Sequence, residues 1–215
     1  MIRLHHVPES RSMRVMWMLH ELGLEFEVKA QPFNKSLRGP AYLALHPAGR
    51  VPALEIDGIV LFESGAALEY LATREGRLGR CYGDADYPDW LNWLHFAETI
   101  SQHAAALTQQ HLVIYPAAKR SVLVTKLEPM RLAKIYQALE ARLSGRDYLL
   151  AEFSAVDIGV GQAVYMAAHF ARVEPFERLS AYITRLFQRP AFQKSLPDRK
   201  DTCLYSQDFY EALDE

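Results

Sequence analysis

Three short clusters in this chain carry residue types able to hold a small anionic or peptide-like molecule. The first is Ser10-Arg11-Ser12 with Arg14, at the amino end of a helix expected over residues 12–22. Free N–H groups and a partial positive charge gather at such an end, so hydroxyls and guanidinium groups there favour an anion. Capping by Ser10 or Ser12 explains the serines without any ligand, and a solvated helix face does the same for Arg11 and Arg14. The second cluster is Arg50-Val51-Pro52, ahead of an expected strand. Proline cannot donate to a strand ladder. With a cis Val51–Pro52 bond, the Val51 N–H and C=O would turn from the sheet and stand open to a peptide-like ligand. The third is Glu63-Ser64, where a strand passes into a helix. There Glu63 can take the ammonium of an amino-acid zwitterion while the Ser64 helix start takes its carboxylate. Ser64 as an ordinary N-cap is the alternative.

The elements that must position these clusters follow from periodicity and turn residues. Residues 2–5 read as a strand, and Val15, Met18, Leu19 and Leu22 share one face of the helix over 12–22, with Gly23 just past its end. Alternation over 26–30 predicts a half-buried strand, so the opening is a parallel βαβ unit with a right-handed crossover. A polar loop and a short helix over 41–45 come next. Strands at 53–56 and 59–62 flank Asp57-Gly58, a pair suited to a type I′ hairpin turn. A helix over 64–74 closes this part, and the glycines at 76, 79 and 83 with Asp84 and Asp86 read as a linker. From residue 88 onward the pattern is helical throughout: 88–110, a helix with Pro129 at its first turn and Gly145 at its close, a segment over 155–171 apolar nearly all round, then 176–187 and 191–196. The division is therefore 1–78, a linker at 79–87, and an all-helical 88–215.

Composition narrows the function classes. The 215 residues are 50% hydrophobic and 23% charged, ordinary for a globular chain able to bury a core. Lys plus Arg number 24 against 26 Asp plus Glu, a net charge of −2, so no basic field invites nucleic acid or an anionic membrane. Apolar runs such as 59–62 fall far short of the roughly 20 residues that span a bilayer, and the amino terminus lacks a signal-peptide layout. Cys81 and Cys203 are the two cysteines; they give no disulfide framework, CxxC pair or metal cluster, which suggests a cytoplasmic protein. His95, His103 and His111 tempt a metal reading. Eight residues along a helix span roughly 12 Å, too far for one shared ion, so no metal is expected.

Taken together, the clusters lie at turns on one end of a βαβ-α-ββα domain. That layout closely resembles the cytosolic glutathione S-transferase superfamily over essentially the whole chain. The segment Pro47-Ala48-Gly49-Arg50-Val51-Pro52-Ala53-Leu54 and the stretch Phe62-Glu63-Ser64 are similar to the family's. So is Phe153-Ser154-Ala155-Val156-Asp157-Ile158, where Ser154 and Asp157 would cap the buried core helix. The resemblance implies an α/β thioredoxin-like N-terminal domain followed by an all-α C-terminal domain that forms the electrophile pocket. It further implies a cis Val51–Pro52 whose valine backbone holds the cysteinyl part of glutathione, with Glu63 and Ser64 on the γ-glutamyl end and Arg50 near the glycyl carboxylate. Glutathione would be the co-substrate, a small hydrophobic electrophile the second partner, and the assembly a homodimer acting in detoxification.

Such a protein needs a group that stabilises a thiolate. No tyrosine precedes Tyr42 and no cysteine precedes Cys81, so chain geometry favours Ser10, with Ser12 as the alternative. The position before it, often the catalytic one in the family, is Glu9, whose charge would raise a neighbouring thiol pKa. Ser10 then takes the role as in relatives with an Asn-Ser-Arg-Ser stretch, or activation is poor. Trp93, Phe96, His103 and Tyr115 are pocket candidates by position. Two rivals stay open: glutathione-dependent peroxide or disulfide reduction at the same site, and a non-catalytic docking module.

Overall fold

The computed structural model describes residues 1–198 and 203–213. Its first strand, β1 (Arg3–His6), is short because Pro8 and a left-handed Glu9 (φ 61°) turn the chain straight into a helix. That helix, α1 (Ser12–Leu22), stops where Gly23 (φ 71°) returns its N–H to His20 and Leu19, a conformation glycine adopts without a Cβ penalty. The next strand, β2 (Glu27–Ala30), pairs parallel to β1. All four of its residues are exposed rather than half-buried, since it forms the edge of the sheet.

A 3-10 turn (Lys35–Arg38) and a short helix α2 (Pro40–Leu43) lead to β3 (Ala53–Ile56) and β4 (Ile59–Leu61). Asp57 (φ 53°) and Gly58 (φ 80°) both have the positive φ of the expected I′ turn. Tyr70 and Arg74, from α3 (Ser64–Glu75), hold the Asp57 carboxylate in place. The sheet order is β2-β1-β3-β4, with β3 antiparallel to both its neighbours. Leu4, Ala53, Leu54 and Ile56 of the strands are buried, as are Met13, Trp17 and Met18 of α1.

The chain divides into two compact units, Met1–Tyr87 with Phe187–Leu204, and Pro88–Leu186 with Tyr205–Glu215. Residues 187–204, which the sequence-based division leaves in the second domain, thus group with the first. Their helix α8 (Pro190–Ser195) packs on α1: Trp17 and Phe192 meet edge to face at 4.9 Å, and Arg189 makes a two-pronged ion pair with Glu21 at 2.6 and 2.8 Å.

The second unit is helical. Its helices are α4 (Tyr87–Thr108), continued by one π turn (Gln109–Val113), α5 (Val122–Arg142), α6 (Ala155–Ala167) and α7 (Glu177–Phe187). Pro129 departs from the sequence expectation, because it lies inside α5 instead of opening it. The helix begins seven residues earlier, where the Ser121 hydroxyl accepts the Val124 N–H. A proline there forfeits one helical hydrogen bond, about 3 kcal/mol in an exposed helix. Burial of Leu132, Ile135, Tyr136 and Leu139 beyond it carries the helix through.

Helix α6 opens with the expected capping box. Ser154 Oγ accepts the Val156 N–H, and Asp157 Oδ2 accepts the Ser154 N–H at 2.8 Å. Asp157 Oδ1 also takes the Leu149 N–H and the Tyr182 hydroxyl. Burial pushes this carboxyl up to about 6, against the pull of those donors.

Candidate active site

Strand register brings the three clusters together. His5 of β1 stands opposite Ala53 of β3, and Leu54 of β3 opposite Leu61 of β4. The carboxyl end of β1, the amino end of β3 and the carboxyl end of β4 therefore lie side by side. Ser10, Val51–Pro52 and Glu63–Ser64 are each within a few residues of those ends.

At the β1–α1 turn, the serines do not cap the helix. The N-cap is Arg11, with no side-chain bond, and Ser12 is already helical. Ser10 Oγ donates to the Val7 carbonyl at 2.8 Å and accepts the Ser12 N–H at 3.3 Å. Its oxygen also lies 2.8 Å from Ser12 Oγ, which is fully buried and 2.8 Å from His6 Nδ1. A hydroxyl chain thus runs from His6 through Ser12 to Ser10, and of the two serines only Ser10 is part-exposed. The Glu9 side chain is buried beside it in sequence, on a strained left-handed backbone.

Arg14 is 1% exposed, so a solvated helix face does not account for it. Its Nη1 donates to Ser64 Oγ at 3.2 Å, joining the start of α1 to that of α3. Ser64 is likewise no N-cap: that position belongs to Glu63, whose backbone is extended (φ −108°). The Glu63 carboxylate is exposed and has no hydrogen bond or ion pair among the described residues.

The Val51–Pro52 peptide is cis. No hydrogen bond to the Val51 N–H or C=O occurs among the described residues, although Ala53 begins the ladder two positions on. The loop before it is held by contacts the sequence did not advertise. Tyr42 OH donates to the Arg50 carbonyl at 2.9 Å, and burial raises that phenol to about 12, so it stays a donor. Gly49 (φ 60°) passes so close to the Leu37 carbonyl that a Cβ would stand 2.6 Å from it. Its place two residues before Val51 was the only local hint. The Arg50 side chain is exposed.

The positional candidates of the second unit lie among their neighbours as follows. Trp93 meets Phe96 edge to face, with Arg142 over its ring. His103 Nδ1 pairs with Glu128, which also pairs with Arg131. Tyr115 is 87% exposed. His95 and His103 are in α4 and His111 is in the π turn, and the described residues contain no group of three or more side chains placed to hold a metal ion. No described helix is long and apolar enough to cross a membrane.

Comparison with known proteins decides the family. Residues 1–73 match the family model for the glutathione S-transferase N-terminal domain. A glutathione S-transferase of Silene vulgaris is 31% identical over 93% of this chain and 98% of its own length. The chain belongs to the cytosolic glutathione S-transferase superfamily. The enzyme class that goes with it is glutathione transferase. Glutathione S-transferase 3 of Zea mays is 32% identical over 91% of this chain and 93% of its own. A glutathione transferase from Burkholderia graminis, solved with two glutathione molecules per subunit, is 25% identical, with a TM-score of 0.82 over 93% of this chain and 88% of that one. The mixed four-stranded sheet is the thioredoxin-like domain of this glutathione S-transferase, and the rest is largely helical.

Proposed function

We propose that this glutathione S-transferase binds glutathione at the shared end of β1, β3 and β4 and ionises its thiol with the help of Ser10. The observation that carries the reading is the Val51 backbone, whose N–H and C=O have no partner among the described residues. That N–H and C=O offer a strand-like pairing to a peptide's cysteinyl unit, while the ladder is satisfied elsewhere. The exposed Glu63 carboxylate answers an ammonium, and the start of α3 with Ser64, backed by buried Arg14, answers the adjoining carboxylate. Arg50 supplies a cation for the glycyl end.

The Ser10 hydroxyl has one proton, held by Val7. Activation turns that proton to the sulfur, exchanging a neutral bond worth about 0.5–1.5 kcal/mol for a charge-assisted one worth about 1.5–3. The net is about 1–1.5 kcal/mol, near one pKa unit. From a free thiol near 8.5, such a shift leaves a substantial thiolate fraction at neutral pH. Chemistry is then attack of the sulfur on a small hydrophobic electrophile, with the protein supplying proximity and electrostatics. The enzyme works as a cytoplasmic homodimer in detoxification.

The test is a pH titration of the complex, following thiolate ultraviolet absorbance. A bound thiol ionising about one unit below free glutathione supports the reading. An unshifted thiol, or no binding, overturns it and puts the docking-module reading first.

A further inference from the structure

The loop that delivers the cis bond is anchored on a histidine. His46 is 4% exposed, and its backbone N–H returns to Tyr42 O at 2.9 Å, just past α2. Its carbonyl accepts the Gly49 N–H at 2.8 Å, and its Nδ1 accepts the Ala48 N–H at 3.2 Å. One residue thus ties both main-chain N–H groups of the turn immediately ahead of Arg50, Val51 and Pro52. The ring also reaches the β4–α3 turn, where Phe62 lies 5.5 Å away between ring centroids.

An imidazole nitrogen can accept an N–H only while it carries no proton, so this contact requires the neutral ring with its hydrogen on Nε2. We propose that His46 is a positioning residue whose neutral ring holds the 46–52 loop in its glutathione-binding form, and that protonating it in mild acid loosens the site. The proposal rests on the reading that this end of the sheet binds glutathione. Burial is the main influence holding His46 below the ordinary histidine value of 6.5. Of the charges that face it, Glu63 from the β4–α3 turn pulls the value up, while Arg50 on its own loop and Arg11 from the β1–α1 turn push it down. Near pH 7 the ring is therefore neutral. Below that, a protonated Nδ1 would point a donor at the Ala48 donor, and the turn must open.

The ligand for the test is S-methylglutathione, whose sulfur cannot ionise, so thiol titration is removed from the profile. Calorimetric affinity of the wild-type protein should fall roughly tenfold between pH 7.5 and 5.5, as one hydrogen bond is exchanged for a donor–donor contact. In His46→Asn, the amide oxygen can accept the N–H two residues on without titrating. That variant should keep the pH 7.5 affinity and lose the acid decline. His46→Leu should bind weakly at both pH values. Nitrogen-15 spectra of the wild-type histidine rings should show an unprotonated Nδ1 for His46 at pH 7.5, a readout that needs no variant to fold. A flat profile, affinity that rises in acid, a protonated Nδ1 at pH 7.5, or an Asn variant as weak as the Leu variant overturns the proposal. Failure of the wild-type protein to bind at pH 7.5 is a different result, for it removes the glutathione reading itself.

Discussion

Replacing Gly49 by alanine tests whether close packing against Leu37 holds the 46–52 loop. A Cβ at Gly49 would lie 2.6 Å from the Leu37 carbonyl oxygen and 3.3 Å from its carbon, and the backbone there has φ +60°. The oxygen cannot swing aside like a flexible side chain. It belongs to the 3-10 turn pinned by Gly39 N–H on Ser36 O and by Ser36 N–H on Asn34 Oδ1, and Leu37 is buried. The left-handed conformation costs alanine about 1–2 kcal/mol, and forcing the loop away from the turn costs about 1–3 more. Reduced freedom of the unfolded chain gives back about 0.4–1 kcal/mol. The net destabilisation is about 3 kcal/mol, which for a chain of this size lowers Tm by roughly 6–12 °C. Thermal and urea unfolding followed by circular dichroism would read it, with glutathione affinity measured alongside. Gly49→Asn separates the two causes, because asparagine tolerates positive φ yet keeps the Cβ; it should recover only about 1 kcal/mol of the loss. If Gly49→Ala unfolds within about 1 kcal/mol of the parent and binds glutathione normally, the contact with Leu37 does not hold the loop and the packing argument fails.

Other expectations are as direct. Ser10→Ala should raise the bound thiol pKa by about one unit and cut turnover near tenfold with little change in glutathione affinity; unchanged turnover in a conjugation assay would remove Ser10 from the chemistry. Arg14→Lys, which shortens a buried fork reaching Ser64, should weaken glutathione binding tenfold or more in calorimetry while the fold persists. An affinity within twofold of the parent would mean that Arg14 serves packing alone. For Asp157 the folded value near 6 lies above the ordinary 3.8, so the folded state holds this proton more tightly. Its contribution is therefore full below 3.8 and is lost as pH rises through about 6, a change on the order of 3 kcal/mol. Asp157→Asn should flatten that part of the stability profile in denaturant titrations from pH 4 to 7.

Much of the fold was legible because its signals are local. Gly23 can only end α1 cheaply, Asp57-Gly58 suits one kind of hairpin turn, and the Ser154–Asp157 spacing is that of a capping box; each involves residues within a few positions of one another. The clusters Ser10, Val51–Pro52 and Glu63–Ser64 could also be read as lying at one end of the sheet, since strand order and direction follow from connection lengths. Their chemistry could be named before any contact was known. The local signals misled where a residue type has two uses. Pro129 suits a helix start and sits inside α5, because burial along the rest of the helix outweighs one missing hydrogen bond. Ser12 and Ser64 suit N-caps, and instead their hydroxyls meet His6 and Arg14.

What only the tertiary structure decided are the contacts between residues far apart in the chain. Arg14 meets Ser64 across 50 positions, and Gly49 meets Leu37 by backbone approach that leaves no mark on side-chain pattern. The burial of His46 and of Arg14 and the return of 187–204 to the first unit are of the same kind. Periodicity reports which face of an element is apolar, but a buried polar group is stable only if its partners arrive from elsewhere. The amino-acid sequence by itself determined the elements, their order and the residue types at the sheet end; packing decided which of those polar groups are tied to the protein and which stay exposed.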